Sequence, residues 1–190
     1  LFGEVAIHCM SQGRCLLIAA TLMAVACLPR TALFKQQHSG QARPPLYGDF
    51  EAQRHWLELT LHLPCHEWYR DSPRNDLQYW GLDHPPLTAY HSWLMGYTAH
   101  HYFNASWVAL DWSRGCESAQ LKLFMRWQVL LVDLALHVTA WICYFASHWQ
   151  MRSGGGTADY HLLGCLLAVL YAPAQILIDH GHFQFNAASL

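Results

Sequence analysis

Two apolar runs, WQVLLVDLALHVTAWICYFASHW (127–149) and HLLGCLLAVLYAPAQILIDHGHF (161–183), are the strongest constraint on how this chain can fold. A helix of roughly 20 apolar residues crosses a bilayer. Inside lipid every backbone N–H and C=O must be bonded within its own segment, so two spanning helices are expected and open sheet is excluded. Composition agrees: 53% of the 190 residues are hydrophobic and only 13% are charged, against roughly 25% charged in an ordinary soluble domain. A secreted soluble domain is incompatible with the two runs. The expected class is an all-α, multispanning membrane protein.

Each run carries polar residues at membrane depth, where ionisable groups face a bundle interior or a cavity. Asp133 and His137 are four apart and share a helical face, which predicts a buried Asp–His pair locking helices together. Pro173 predicts a kink in the second run, with the freed carbonyl satisfied from a neighbouring helix. Asp179, His180 and His182 follow at its far end. A third, shorter run, Cys15 to Pro29, lies between Arg14 and Arg30. Two readings stay open for it: a retained anchor, or a signal peptide with the small-x-small pattern Ala24-Val25-Ala26. The chain opens on Leu1 and closes on Leu190 in an apolar context, which reads as a fragment.

Between the Cys15–Pro29 run and the 127–149 run lies a long stretch too aromatic for disorder. Within it WLELTLHL (56–63) alternates like a strand, but read from Phe50 it suits a helix lying on a membrane surface as well. LTAYHSWLMGYTAHHYF (87–103) has helical period. Trp and Tyr favour the lipid–water boundary, which places both helices there. Gly154-Gly155-Gly156 turn the chain between the two long runs. Two spans therefore separate the long loop from Asp179–Asn186, so both emerge on the same side whatever the orientation.

Several function classes drop out. The net charge is −2 with no basic excess, so nucleic acid is not a partner. The fourteen histidines include no HExxH, and the seven cysteines no CxxC or disulfide framework. Asp179, His180 and His182 lack a fourth ligand, and no metal site is expected.

Four stretches carry chemistry. In YGDFEAQRHW (47–56), Gly48 allows a tight turn and Asp49 begins a helix. One reading makes Asp49 the helix N-cap, worth about 1 kcal/mol, with Glu51, Arg54 and His55 on a solvated face. The other holds the carboxylate at a dry interface, where desolvation favours proton uptake. It would then accept a proton from a sugar hydroxyl, while Arg54 or His55 meets a phosphate. In QYWGLDHPPLTAYHS (78–92), the prolines suit a helix's first turn and Asp83 stands where it could cap. Tyr79, Trp80, Tyr90 and Trp93 either stack on sugar rings or form an interfacial belt. SRGCESAQLKLFMR (113–126) brings charges to the boundary of the 127–149 run. DHGHFQFN (179–186) packs an acid, two histidines, two amides and two aromatics at a membrane exit. Asn104-Ala105-Ser106 is an N-glycosylation triplet, which fits a lumenal loop.

In this order, YGDFEAQRHW, YWGLDHPPLTAYHS, RGCESAQLKLFMR and LIDHGHFQFN closely resemble the endoplasmic-reticulum dolichyl-phosphate-glucose-dependent α-1,3-glucosyltransferases, from about Tyr47 to the end of the chain. Members adding the first glucose to lipid-linked Man9GlcNAc2 are nearer than those adding the second. Phe50, His84, His180 and Phe185 stand where tyrosine is usual. The resemblance implies a GT-C glycosyltransferase fold, of which 1–190 would be the N-terminal fragment. That fragment has spans at 15–34, 127–148 and 161–180, a lumenal loop at 35–126 with membrane-parallel helices, a cytosolic loop at 149–160 and a lumenal start at 181–190. It implies a multi-pass protein of the endoplasmic-reticulum membrane. It further implies inverting transfer of glucose from dolichyl phosphate glucose to the lipid-linked oligosaccharide, with no metal or other cofactor. The family's loop acid aligns with Asp49, the expected catalytic base. Glu51, Arg54, His55, Asp83, His182 and Gln184 are the expected substrate contacts. The competing class is a non-catalytic multispanning subunit, in which Asp49 merely caps a helix.

Overall fold

A computed structural model describes residues 17–18, 20–151 and 157–184. The order is α1 (20–32), α2 (Gly48–His62), α3 (Pro86–Thr98), α4 (Ala119–Val132), α5 (Thr139–Met151), α6 (Thr157–Leu170) and α7 (Pro173–Gln175). Three π-helical segments extend α3 (Ala99–Phe103), join α4 to α5 (Asp133–Val138) and extend α7 (Ile176–His182). Among the described residues there is no strand, only an isolated bridge between Ser72 and Asn75.

Two helices are long and apolar enough to cross a membrane, Ala119–His148 and Leu163–His182. The first has 30 residues, about 45 Å at 1.5 Å per residue. That exceeds the roughly 30 Å hydrocarbon core, so one or more turns stand outside it. It begins at Ala119, ahead of the apolar run, because Ser118 caps it: the Ser118 hydroxyl accepts from Leu121 N at 3.1 Å. The residues before 17 of the shortest apolar run lie outside the described part; 20–32 are helical.

Pro173 breaks the second helix as expected, standing in the first turn of α7. Arg30 answers the break: its Nη1 donates to the Leu170 carbonyl at 3.0 Å. Arg30 is fully buried. Its Nε also donates to Asp133 Oδ2 at 2.5 Å, and His180 Nε2 reaches the same oxygen at 2.9 Å. The expected Asp133–His137 pair is therefore corrected. Asp133 bonds across to α1 and to the π segment after α7, and His137 Nε2 has no hydrogen-bond partner. A permanent guanidinium charge from another helix offers the carboxylate a stronger bond than a local imidazole does. Around this staple Ala26, Val138, Phe145, Leu166 and Leu170 form the core of α1, α5 and α6.

WLELTLHL belongs to α2, a helix and not a strand. Its eleven residues Phe50–Thr60 are all buried, so α2 is a central helix with no open face. One side packs with Trp107, Val108, Leu121, Met125 and Phe183; the other packs with Trp68, Leu82 and Ala89. The surface character expected of both loop helices belongs to α3 alone, where Leu87, Tyr90, Trp93, Leu94 and Tyr97 are exposed. Gly96 lets α3 touch α2: a Cβ there would lie 2.4 Å from the Leu57 carbonyl oxygen.

Candidate active site

The chain enters α2 through two residues of positive φ, Tyr47 (55°) and Gly48 (69°). A Cβ on Gly48 would lie 2.6 Å from the backbone of Ser39, so glycine permits the loop to fold back on the helix start. Tyr47 occupies the cap position and no side chain caps the helix, so Asp49 is not an N-cap. It is the second helical residue, and its carboxylate turns to the segment that follows α7. Asp49 Oδ2 accepts from Gln184 Nε2 at 2.9 Å and lies 2.8 Å from His182 Nε2.

Packing enforces the meeting of residues 135 apart in sequence. Phe50 and Phe183, both fully buried, meet edge to face at 5.0 Å. His38 stacks on the other face of Phe50 at 4.0 Å, and burial lowers its pKa from 6.5 to about 4, helped by the charges of Lys122 and Arg126. Ser39 N donates to the His182 carbonyl at 3.0 Å. The pair stays open to the outside: the Asp49 side chain is 28% and that of His182 49% exposed. A carboxylate held by an amide and an imidazole, yet reachable, can take a proton from a bound hydroxyl.

One turn further along α2 the polar residues face inward. Arg54 donates from Nε to Glu51 Oε2 at 2.8 Å and from Nη2 to Glu51 Oε1 at 2.6 Å, a bidentate pair. Its Nη1 meets Glu58 Oε2 at 2.7 Å, Ser113 Oγ at 2.5 Å and the Trp107 carbonyl at 3.2 Å. Tyr79 donates to Glu51 Oε1 at 2.9 Å, and Asp111 N to Glu58 Oε1 at 2.8 Å. Glu51, Arg54 and Glu58 are fully buried. Burial opposes each charge, but the partners prevail. They raise the Arg54 pKa, while His55 and Arg54 hold the Glu58 carboxyl down at about 2. Burial and then the Glu51 charge push the Tyr79 phenol up. His55 edges against the Tyr79 ring at 5.1 Å, with Nδ1 3.6 Å from Glu58.

The structure thus unites Asp49, His182 and Gln184. It sets Glu51, Arg54 and His55 one layer inside on the same helix, where they clamp the 105–113 loop and Tyr79 onto α2 and are not a solvated face. Asp83 stands apart. Its carboxylate is 77% exposed, 3.8 Å from His84, and α3 starts at Pro86 with Pro85 in the cap position and no side-chain cap, so Asp83 does not cap. Glu58 lies in WLELTLHL and Ser113 opens SRGCESAQLKLFMR, but neither was singled out as a site residue; the four-residue spacing from Arg54 was the available signal for Glu58. His180 and His182 go to different carboxylates, and among the described residues no group of three or more His, Cys, Asp or Glu could hold a metal. Cys65 and Cys116 are both free.

The profile of the ALG6, ALG8 glycosyltransferase family matches residues 14–190. A Rattus norvegicus protein named dolichyl pyrophosphate Man9GlcNAc2 alpha-1,3-glucosyltransferase is 49% identical over 153 residues, which are 80% of this chain and 29% of the relative. Proteins of the same name from Gallus gallus and Saccharomyces cerevisiae are each 48% identical, over 80% of this chain and 29% and 27% of their own lengths. The chain spans less than a third of the length of these relatives.

Proposed function

This chain belongs to the ALG6, ALG8 glycosyltransferase family, and from that premise we propose that the whole protein transfers glucose from dolichyl phosphate glucose to lipid-linked Man9GlcNAc2 in α-1,3 linkage. The relatives' printed names supply the acceptor; the four motif stretches supply the donor class. The protein is then a multispanning GT-C enzyme of the endoplasmic-reticulum membrane, with the Asp49 side facing the lumen.

In this reading the 3-hydroxyl oxygen of an acceptor mannose attacks glucose C1 from the face opposite the phosphate. The bond from C1 to the phosphate oxygen breaks, dolichyl phosphate leaves with the electron pair, and the β-linked donor becomes an α-linked product. Asp49 takes the hydroxyl proton. A phosphate leaves readily, so one base suffices and no strong acid is needed. Gln184 and His182 hold the carboxylate through Oδ2. Glu51, Arg54 and Glu58 position the helix that carries it.

The observation that carries the reading is the half-open Asp49 carboxylate, gripped by His182 and Gln184 where a membrane-length helix ends. Both substrates hang from lipid tails, and a base serving them must stand at that boundary. The test is in vitro transfer by the complete protein from dolichyl phosphate glucose to Man9GlcNAc2 and Glc1Man9GlcNAc2 acceptors. Transfer to the first supports the reading. Transfer to the second alone reassigns the chain to the second-glucose step, and transfer to neither refutes the reading.

A further inference from the structure

Glucose transfer makes no use of the triplet Asn104-Ala105-Ser106, the one Asn-x-Ser/Thr sequence in the chain. Two asparagines of the long loop put their amides to different ends. Asn75 is buried, and its Nδ2 donates to the carbonyls of Glu67, Trp68 and Arg70 at 3.0–3.1 Å. That nitrogen is committed to holding a turn together. Asn104 is exposed, as is every residue from His100 to Ser106. It caps a short 3-10 turn, Ala105–Val108, by accepting from Ser106 N at 2.9 Å and from Ser106 Oγ at 2.7 Å. Both bonds use Oδ1, so Nδ2, the atom to which a glycan is joined, is not spent on the cap.

The position fits a sugar on the Asp49 side of the membrane. Among the described residues no membrane-length helix lies between Asp49 and Asn104, so the two share a side. Asn104 stands at the rim of a groove of about 850 Å³ whose other wall includes Gln120, Leu123 and Phe124 of α4. A glycan is bulky and hydrated, and burying its hydroxyls in hydrocarbon would be costly. A sugar there therefore sets the first turns of α4 outside the lipid. The length of α4 and its extension agrees. With Ala119–Arg126 outside, about 12 Å of helix protrudes, and the stretch from Trp127 to His148 is about 33 Å long at 1.5 Å per residue, close to the roughly 30 Å hydrocarbon core. Trp127, which is exposed, then stands at the lipid–water boundary that tryptophan favours.

We propose that Asn104 carries an N-linked glycan, which keeps this loop in the lumen and holds the first two turns of α4 above the lipid. The chain is here the substrate of a separate oligosaccharyltransferase. Asn104 Nδ2 bonds to the anomeric carbon of a lipid-pyrophosphate-linked oligosaccharide. The bond from that carbon to the pyrophosphate oxygen breaks, the lipid pyrophosphate leaves with the electron pair, and one Nδ2 proton passes to a base of the transferase. The Ser106 hydroxyl completes the acceptor triplet. The proposal rests on the lumenal reading of the Asp49 side, and on the exposed triplet for its place.

The test expresses the complete protein in a eukaryotic cell, native and as Ala105→Pro, Ser106→Ala and Ser106→Thr. The proteolytic peptide containing Asn104 is read by mass spectrometry before and after peptide N-glycosidase. The native and Ser106→Thr proteins are expected to give a glycosylated peptide, left with aspartate at that position once the glycan is released. Ala105→Pro and Ser106→Ala are expected to lose the glycan completely, since a proline in the middle or a missing hydroxyl destroys the triplet. Ala105→Pro keeps both Asn104 and Ser106. Asn104 at φ −143° and ψ 111° already has the extended backbone that precedes proline, and proline suits a helix's first turn. Should that variant not fold, Ser106→Ala carries the same comparison with the Asn104 bond to Ser106 N intact. An unmodified Asn104 peptide from native protein overturns the proposal, and so does a glycan that survives in both Ala105→Pro and Ser106→Ala. Native protein that is bare at Asn104 yet glucosylates Man9GlcNAc2 sinks the glycan site alone. Native protein glycosylated there that glucosylates no acceptor sinks the functional reading and leaves the site standing.

Discussion

His180 and His182 sit two residues apart on one π-helical segment, and each meets an aspartate. The His180–Asp133 contact is 2.9 Å long with side chains 1% and 2% exposed; the His182–Asp49 contact is 2.8 Å long with side chains 49% and 28% exposed. The chemistry is the same, and the surroundings differ. Arg30 shares Asp133 and so fixes that pair as an ion cluster between helices. Asp49 has an amide in place of an arginine and a route to the outside. A carboxylate neutralised by a buried guanidinium can staple a fold, but it cannot trade protons with a substrate. A carboxylate held only by an amide and an imidazole can.

The largest expected effects come from the two aspartates, and they should cross over. Asp49→Asn in the complete protein is expected to lower kcat for glucose transfer by about 10²–10⁴-fold, the usual worth of a general base, with its melting midpoint within a degree or two of native. Asp133→Asn is expected to cost about 3–5 kcal/mol of stability, because Arg30 is left buried without its charge partner. Denaturant or thermal melts beside a transfer assay read both; an Asp133→Asn protein that folds normally yet transfers nothing would break the distinction. The histidines give a smaller version. His180→Gln is expected to lose about 1–3 kcal/mol of stability. His182→Gln is expected to lower transfer by about tenfold, the low end for a group that only holds the base, and to leave the melt unmoved.

The smallest effect is in pH and lies at the margins of the two pairs. The folded pKa of His38 is down at about 4 against 6.5. The unfolded chain therefore binds more protons between these values, and stability falls as pH drops from about 6.5 toward 4. Glu58, at about 2 against 4.5, contributes stability that is complete above pH 4.5 and disappears as pH falls through 2. Melts across pH should show the first decline flattened in His38→Gln and the second retained.

Much of this was legible in the sequence and some was not, for physical reasons. Two apolar runs between Asp49 and the DHGHF segment placed both on one side, but that Asp49 meets His182 and Gln184 emerges only from the fold. Helical period exposed α3. For α2 the pattern misled, because a helix buried on every face has no polar side to set a period, and its charged residues hide by pairing with one another. Arg30 read as a flanking charge beside an apolar run, and only Asp133, 103 residues away, explains its burial. Contacts at such separation leave no trace in local spacing. The same holds for Ser113, 59 residues from Arg54, and for Asp83, whose place beside the paired prolines suggested a cap that the backbone there does not use.

The most direct test is a structure of the complete protein holding a non-transferable donor analogue and the Man9GlcNAc2 acceptor. The account predicts the Asp49 carboxylate within about 2.6–3.2 Å of the attacking mannose hydroxyl, the reach of a general base, with His182 still on its Oδ2. An attacking hydroxyl held by a different base, with Asp49 turned away or shut off from the substrates, would contradict it.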